Sequence, residues 1–144
     1  MKFKKFAILV FTLSIIAITQ IHATQDSDYY YKKANQMLIS GDFNNAKVNY
    51  EAAISANPKF TEAYVGLGMV LKELGDNEGA YQSTVKALAI DPDYSQAYYN
   101  EGLILENLNK KQEAIRAYEK FLKEVPGAER FTDARQRIYK LKNK

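Results

Sequence analysis

Few residues in this sequence could carry out catalysis. The chain has no cysteine, and His22 is its single histidine, so the strongest nucleophile is missing and the most common general base occurs once. Gly66-Leu67-Gly68 looks like the start of a phosphate-binding loop, but no strand precedes it and it falls inside a predicted helix. No nucleophile has a base beside it. The sequence therefore predicts a protein that is not an enzyme and uses no cofactor and no metal.

A second set of residues could form a binding surface instead. It combines tyrosines, aliphatic residues and a methionine with a few polar groups, a mixture suited to holding a peptide segment. Helical phase places these side chains on the first helix of each of three predicted helix pairs. The set is Tyr31, Asn35, Leu38, Val65, Met69, Lys72, Tyr99, Leu103 and Glu106. The alternative is that they are ordinary packing residues that contact no ligand.

The helices that would position these side chains follow from an internal repeat of constant length. Residues of one kind recur at a single spacing: Pro58, Pro92 and Pro126; Ala46, Ala80 and Ala114; Tyr30, Tyr64 and Tyr98. Within each repeat, apolar residues are spaced by three and four, as in amphipathic helices. The pattern predicts helix pairs over residues 29–40 and 44–56, 61–74 and 77–90, and 96–108 and 112–123.

Small residues and turn signals fit this division. Gly75 offers a left-handed helix end, and Asp76 is a candidate N-cap for the helix that follows. Two helices of a tight pair approach closely only where side chains are nearly absent. Such positions on the first helices are Ala34, Gly68 and Gly102.

The repeat resembles that of the tetratricopeptide repeat (TPR) family. In the second repeat the matching residues are Tyr64, Leu67, Gly68, Leu71, Gly75, Ala80, Thr84, Ala87 and Pro92. The first and third repeats carry the same pattern. Departures are few: Lys33 and Glu101 stand where the family has leucine, and Thr84 stands where it has an aromatic residue.

The resemblance implies an all-α, right-handed solenoid of antiparallel helix hairpins. Its three repeats would cover residues 27–60, 61–94 and 95–128. A stack of repeats leaves an apolar face bare at each end. We expect a helix over 129–142 to cap the C-terminal end, because Phe131, Ala134, Ile138 and Leu141 form one apolar stripe.

The resemblance also implies a protein-interaction module that binds a peptide or protein segment on its concave side. One family mode holds a ligand's C-terminal carboxylate with two lysines, two asparagines and an arginine. Of those positions this sequence keeps only Asn35; the others are Tyr31, Gly66, Gln96 and Asn100. Because none of them is basic, we do not expect recognition of a free C-terminus.

The segment 1–23 has the layout of a secretory signal peptide. Lys2, Lys4 and Lys5 precede an apolar run, and Ala23 precedes a polar stretch. The run is short for a membrane span. We expect cleavage and a periplasmic or secreted protein; an uncleaved inner-membrane anchor and a buried core helix are the alternatives. Membrane association is expected only if this segment is retained.

The charge changes with that cleavage. The net charge is +3, from 20 basic and 17 acidic residues, and three of the lysines lie within the segment 1–23. The remaining chain is neutral, which argues against nucleic acid as a partner. Basic residues concentrate near the C-terminus, where they form either a docking patch or the solvated outer side of the cap: Arg130, Arg135, Arg137, Lys140, Lys142 and Lys144.

These features favour an adaptor of the bacterial envelope that binds a protein segment in its concave groove. A second hypothesis is a self-associating structural protein, such as a homodimer, that pairs through the tyrosines at 29–31 or through the basic cap and has no separate ligand. A membrane-anchored assembly factor is the third.

Overall fold

The computed structural model describes residues 24–124 and 129–143, which form helices joined by short turns. The first helix, α1, covers 24–39 of this range. Six helices follow it: α2 (Phe43–Ala56), α3 (Thr61–Glu73), α4 (Asn77–Ile90), α5 (Ser95–Asn107), α6 (Lys111–Glu124) and α7 (Glu129–Lys142). The predicted all-α fold of helix pairs with a C-terminal helix is confirmed. The predicted signal segment lies outside the described residues.

The turn inside each helix pair is built on a residue in the left-handed conformation. Gly41 and Gly75 have φ angles of 79° and 85°, and Asn109 takes their place in the third repeat with φ 58°. Asparagine tolerates this conformation better than most residues that carry a Cβ. Asp76 then caps α4 by accepting a hydrogen bond from the backbone N–H of Gly79 at 2.9 Å. The predicted helix end and N-cap are therefore confirmed.

Small residues bring the two helices of a pair into contact. Ala46 and Ala80 have no exposed surface, and a Cβ added at Gly68 would lie only 3.2 Å from the carbonyl oxygen of Ala80. The large side chains fill the space around these contacts. Tyr50 and Tyr118 are the largest fully buried side chains of the described core.

The helix pairs stack on one another, and the last helix packs on the end of the stack. The first helices α3 and α5 pack directly against each other, and α7 covers α6. Ala134, Ile138 and Leu141 of α7 pack on the third-repeat core around Tyr118, so α7 acts as the predicted cap. The side chain of Phe131 lies outside the described part.

The helix α1 begins earlier than the periodicity predicts. The segment 24–28 already belongs to it, and Ser27 is fully buried there, with its hydroxyl donating to the carbonyl oxygen of Thr24 at 2.8 Å. These polar residues carry no apolar repeat, so the pattern could not indicate them. In the described helices, none has the length and apolar character needed to cross a bilayer.

Candidate functional site

The first helices of repeats two and three enclose a small pocket on the inner side of the stack. Met69 and Lys72 come from α3, and Asn100, Leu103 and Ile104 come from α5. Its volume is about 30 Å³, enough for a small chemical group. Three apolar side chains, one cation and one amide therefore converge where α3 meets α5. We call this the α3–α5 pocket.

The amide of Asn100 is the least satisfied polar group in this pocket. Asn100 is only 4% exposed, and its Oδ1 accepts a hydrogen bond from Gln96 Nε2 at 3.1 Å. Its Nδ2 is buried without a hydrogen-bond partner in the described part of the chain. A buried donor left unpaired costs about 1–3 kcal/mol. An acceptor supplied by a ligand would remove that cost.

Three residues of the predicted set, Met69, Lys72 and Leu103, line the α3–α5 pocket. The Lys72 ammonium also lies 2.6 Å from the carboxylate of its neighbour Glu73. Val65 is placed differently. It is 3% exposed and packs against Ala87 and Ala97, so a ligand cannot reach it. Ala87 of α4 and Ala97 of α5 cover this position.

The first-repeat members of the set are turned toward their own helix pair. The ring of Tyr31 lies 4.9 Å from that of Phe60 and 6.0 Å from that of Tyr50. The Tyr50 hydroxyl donates to Asn35 Oδ1 at 2.5 Å, and Leu38 is half-buried against the first core cluster. Burial, with a smaller contribution from Tyr31, raises the pKa of Tyr50 to about 12. These contacts leave Asn35 with less capacity to bind a ligand.

Two third-repeat members of the set are held by the cap. The Tyr99 hydroxyl donates to Asp133 Oδ2 at 2.7 Å, and the Tyr118 hydroxyl donates to Glu106 Oε1 at 2.5 Å. Arg137 then joins both carboxylates, through Nε to Asp133 at 2.7 Å and through Nη1 to Glu106 at 3.1 Å. We call these five residues the cap network. Tyr99 and Glu106 thus help to fasten α7.

The cap network shifts the titration of its members. Burial raises the pKa of Tyr99, and its hydrogen bond to Asp133 raises it further. Burial would raise the pKa of Asp133, but the hydrogen bonds from Tyr99 and Arg137 hold it below its usual range. At neutral pH the network is therefore a charged, hydrogen-bonded contact that links α7 to α5 and α6.

Sequence reasoning did not assign a binding role to Asn100, yet the repeat register contains a signal for it. In the first repeat Tyr50 is so close to α3 that a Cβ at Gly66 would overlap its ring. At the equivalent positions one repeat later, Thr84 stands in place of Tyr50 and Asn100 in place of Gly66. At the junction between the second and third repeats, the sequence therefore lacks the tyrosine ring and carries an amide instead.

Within the described range, no group of three or more histidine, aspartate or glutamate side chains is arranged to hold a metal ion. The α3–α5 pocket offers apolar contacts, the amide of Asn100 and the ammonium of Lys72.

The tetratricopeptide repeat family matches the chain over residues 27–60, 61–94 and 95–128. The chain therefore belongs to this family. A comparison with curated proteins finds no match.

Solved structures with the same fold include TPR domains from several proteins. The first TPR of Spaghetti (RPAP3), bound to the HSP90 peptide SRMEEVD, has a TM-score of 0.79 and 22% identity over 83% of this chain and 93% of that one. The Arabidopsis OM64 TPR domain has a TM-score of 0.77 and 25% identity, covering 82% and 98%. The Yersinia enterocolitica chaperone SycD, in complex with a YopD peptide, has a TM-score of 0.75 and 16% identity, covering 81% and 92%.

Proposed function

We propose that this protein is an adaptor of the bacterial envelope that binds an extended protein segment at the α3–α5 pocket. The observation that carries the proposal is the unpaired, buried Nδ2 of Asn100 beside the apolar side chains of Met69 and Leu103. A polypeptide supplies what is missing, because it presents a carbonyl oxygen at every residue and side chains that can enter an apolar pocket.

The pocket also defines how the segment would enter. Asn100 Nδ2 is buried, and Met69 and Lys72, which line the same pocket, have unbranched, flexible side chains. Their displacement would open the amide to a peptide carbonyl. The ordering cost of this step limits the affinity, as is usual for transient adaptors.

The two ends of the inner side are less suited to a ligand. Asn35 already accepts from Tyr50, and Tyr99 and Glu106 belong to the cap network. Asn35 is also the only match to the carboxylate-binding positions of the family. We therefore propose an internal stretch of a partner as the ligand, without a requirement for its C-terminal carboxylate.

Structures of this fold support a peptide ligand. The RPAP3 and SycD domains each hold a peptide. Their sequence identities to this chain are only 22% and 16%, so they indicate what the fold accommodates and leave the ligand of this protein to its own residues.

The envelope location rests on the N-terminal segment. Its three lysines, its apolar run and the small residue Ala23 are the features of an export signal. We propose cleavage after Ala23 and a periplasmic or secreted mature protein. Intact-mass measurement of the exported protein tests this: a new N-terminus at Thr24 is expected, and retention of the segment 1–23 would indicate the anchored alternative.

A photo-crosslinking amino acid at position 69 tests the binding site in cells. The matched control places it at Gln82, an exposed residue of α4. We expect a small number of envelope proteins to crosslink at position 69 and not at position 82. Equal capture at both positions would contradict the proposed site.

Self-association is the second candidate, and one observation favours it. Tyr29 of α1 is 61% exposed, with its ring 5.4 Å from that of Tyr30. Light scattering over a range of concentrations tests it. A dimer that Tyr29→Ser converts to a monomer would support it, whereas a monomer at all concentrations would exclude it.

A further inference from the structure

The α3–α5 pocket presents hydrogen-bond donors to a ligand. Asn100 Nδ2 is buried without a partner in the described chain, whereas Asn100 Oδ1 already accepts a hydrogen bond from Gln96 Nε2 at 3.1 Å. The second polar group is the ammonium of Lys72, which can only donate. Of the residues that the structure describes, no acidic one lines the pocket. The pocket is therefore suited to a group that accepts hydrogen bonds and has none to donate.

Burial makes the charge of that group important. Asn100 is 4% exposed, and the apolar side chains of Met69, Leu103 and Ile104 complete the lining. In such surroundings a hydrogen bond to an ionised group is stronger than at the surface. A backbone carbonyl and a carboxylate both accept without donating, but the carboxylate also carries the charge opposite to that of Lys72. It has two oxygens for the two donors.

The ion pair between Lys72 and Glu73 does not fill the pocket. The two charged groups lie 2.6 Å apart, on side chains that are 24% and 44% exposed, and Glu73 is not among the lining residues. An ion pair at this exposure contributes little, because water screens it. The ammonium has three donors, so Lys72 can bind a second carboxylate beside Glu73 or exchange one for the other.

Neighbouring polar groups of the inner side are already engaged. In the first repeat, Asn35 Oδ1 accepts from the Tyr50 hydroxyl. In the third repeat, Glu106 accepts from the Tyr118 hydroxyl and from Arg137. The α3–α5 junction lies between these two filled positions and keeps its donors for a ligand.

We propose that the α3–α5 pocket binds the side-chain carboxylate of an aspartate or glutamate within the partner segment, an inference that rests on the function proposed above. One carboxylate oxygen would accept from Asn100 Nδ2, in place of a backbone carbonyl, and the other would accept from Lys72 Nζ. The methylene groups would lie on Met69 and Leu103. Because the acidic residue is internal, this recognition needs no free C-terminus and selects among extended segments by their sequence.

NMR titration of the ¹⁵N-labelled protein with three short peptides tests this inference. The peptide AAEAA with both ends blocked carries its carboxylate on an internal side chain. AAQAA with both ends blocked has nearly the same shape without the charge, and AAQAA with a free C-terminus carries the charge at its end. We expect AAEAA to shift the side-chain amide of Asn100 saturably, and the other two peptides to bind about tenfold more weakly.

The outcomes separate this inference from the proposed function. Equal affinity for the two blocked peptides would overturn the selection of a carboxylate, and would leave a backbone carbonyl as the group bound by Asn100. Tightest binding of AAQAA with a free C-terminus would overturn it in favour of a terminal carboxylate. If none of the peptides shifts Asn100 saturably, both this inference and the proposed binding site are wrong.

Three variants test whether Lys72 recognises the charge. Lys72→Met keeps an unbranched side chain but removes the ammonium, so the affinity for AAEAA should fall to that for blocked AAQAA. Glu73→Gln removes the competing carboxylate and should strengthen the binding of AAEAA. Lys86→Met, at an exposed position of α4, is the matched control and should change neither affinity. A preference for AAEAA that persists in Lys72→Met would overturn the proposed contact.

Discussion

The two junctions between repeats use the same positions in opposite ways. At the first junction, Tyr50 of α2 fills the space against Gly66 of α3, and its hydroxyl is paired with Asn35. At the second junction, Thr84 and Asn100 stand at those positions, and the Thr84 hydroxyl donates to the carbonyl oxygen of Ala80 within its own helix.

This difference separates a closely packed junction from the junction at which we propose a binding site. The first junction is closed by a ring that has no room to move, since Tyr50 is 1% exposed. The second junction keeps the unpaired Nδ2 of Asn100 next to a small pocket. The proposed binding site therefore lies where one repeat lacks the large residue that its neighbours use for packing.

Placing a leucine at each junction should give the largest difference in stability between the two junctions. Gly66→Leu would force a side chain into the buried Tyr50 ring, and we expect a loss of about 3 kcal/mol in the free energy of unfolding. Asn100→Leu replaces an amide whose Nδ2 is buried and unpaired with a side chain of similar size, and it should cost less than about 1 kcal/mol. Urea unfolding of both variants measures this, and equal losses would show that the junctions do not differ.

Exchanging the residues of the first junction for those of the second should show that the two positions are coupled. Tyr50→Thr removes a buried ring and should cost about 3 kcal/mol, and Gly66→Asn should cost about 2 kcal/mol by overpacking. The double variant should be more stable than the sum predicts by at least about 1 kcal/mol. If the free-energy changes of the two single variants add exactly in a double-mutant cycle, positions 50 and 66 are not coupled.

The cap network should give the smallest effect, with a defined pH dependence. In the folded protein, the pKa of the Asp133 carboxyl lies below its ordinary value of 3.8. Its contribution is therefore present above the unfolded pKa and disappears as the pH falls through the folded value. Because its side chain is 41% exposed, we expect Asp133→Asn to cost less than about 1 kcal/mol at neutral pH.

Thermal melting of wild type and Asp133→Asn over a pH series checks this prediction. The difference in Tm should be constant near neutrality and should disappear as the pH falls below 3.8 and through the lower pKa of Asp133 in the folded protein. A difference that grows toward acid pH would have the wrong sign for a carboxylate with a lowered pKa.

Much of the fold follows from the sequence because it repeats. The constant spacing of the prolines and alanines predicts the helix pairs, and turn chemistry at Gly75 and Asp76 predicts where one helix ends and the next begins. The early start of α1 is not predictable in this way, because Ser27 and its neighbours are polar and lie at the edge of the repeated pattern.

The candidate site is harder to predict because it depends on contacts between helices. Helical phase places Val65, Tyr99 and Glu106 on the inner side, but it does not show that α5 covers Val65 or that Arg137 reaches Glu106 from the cap. Both outcomes depend on side chains from distant parts of the chain. The binding role of the remaining groove residues stays a prediction.

The most direct test of the α3–α5 pocket compares two asparagines on one helix. With the photo-crosslinker at position 69, Asn100→Ala removes the buried amide, and Asn107→Ala removes an exposed amide that donates to Asn77 Oδ1 at 3.0 Å. We predict that Asn100→Ala loses most of the crosslinked partner while its melting temperature stays near that of wild type, and that Asn107→Ala retains the partner. Full crosslinking in Asn100→Ala would contradict a ligand bound through this amide.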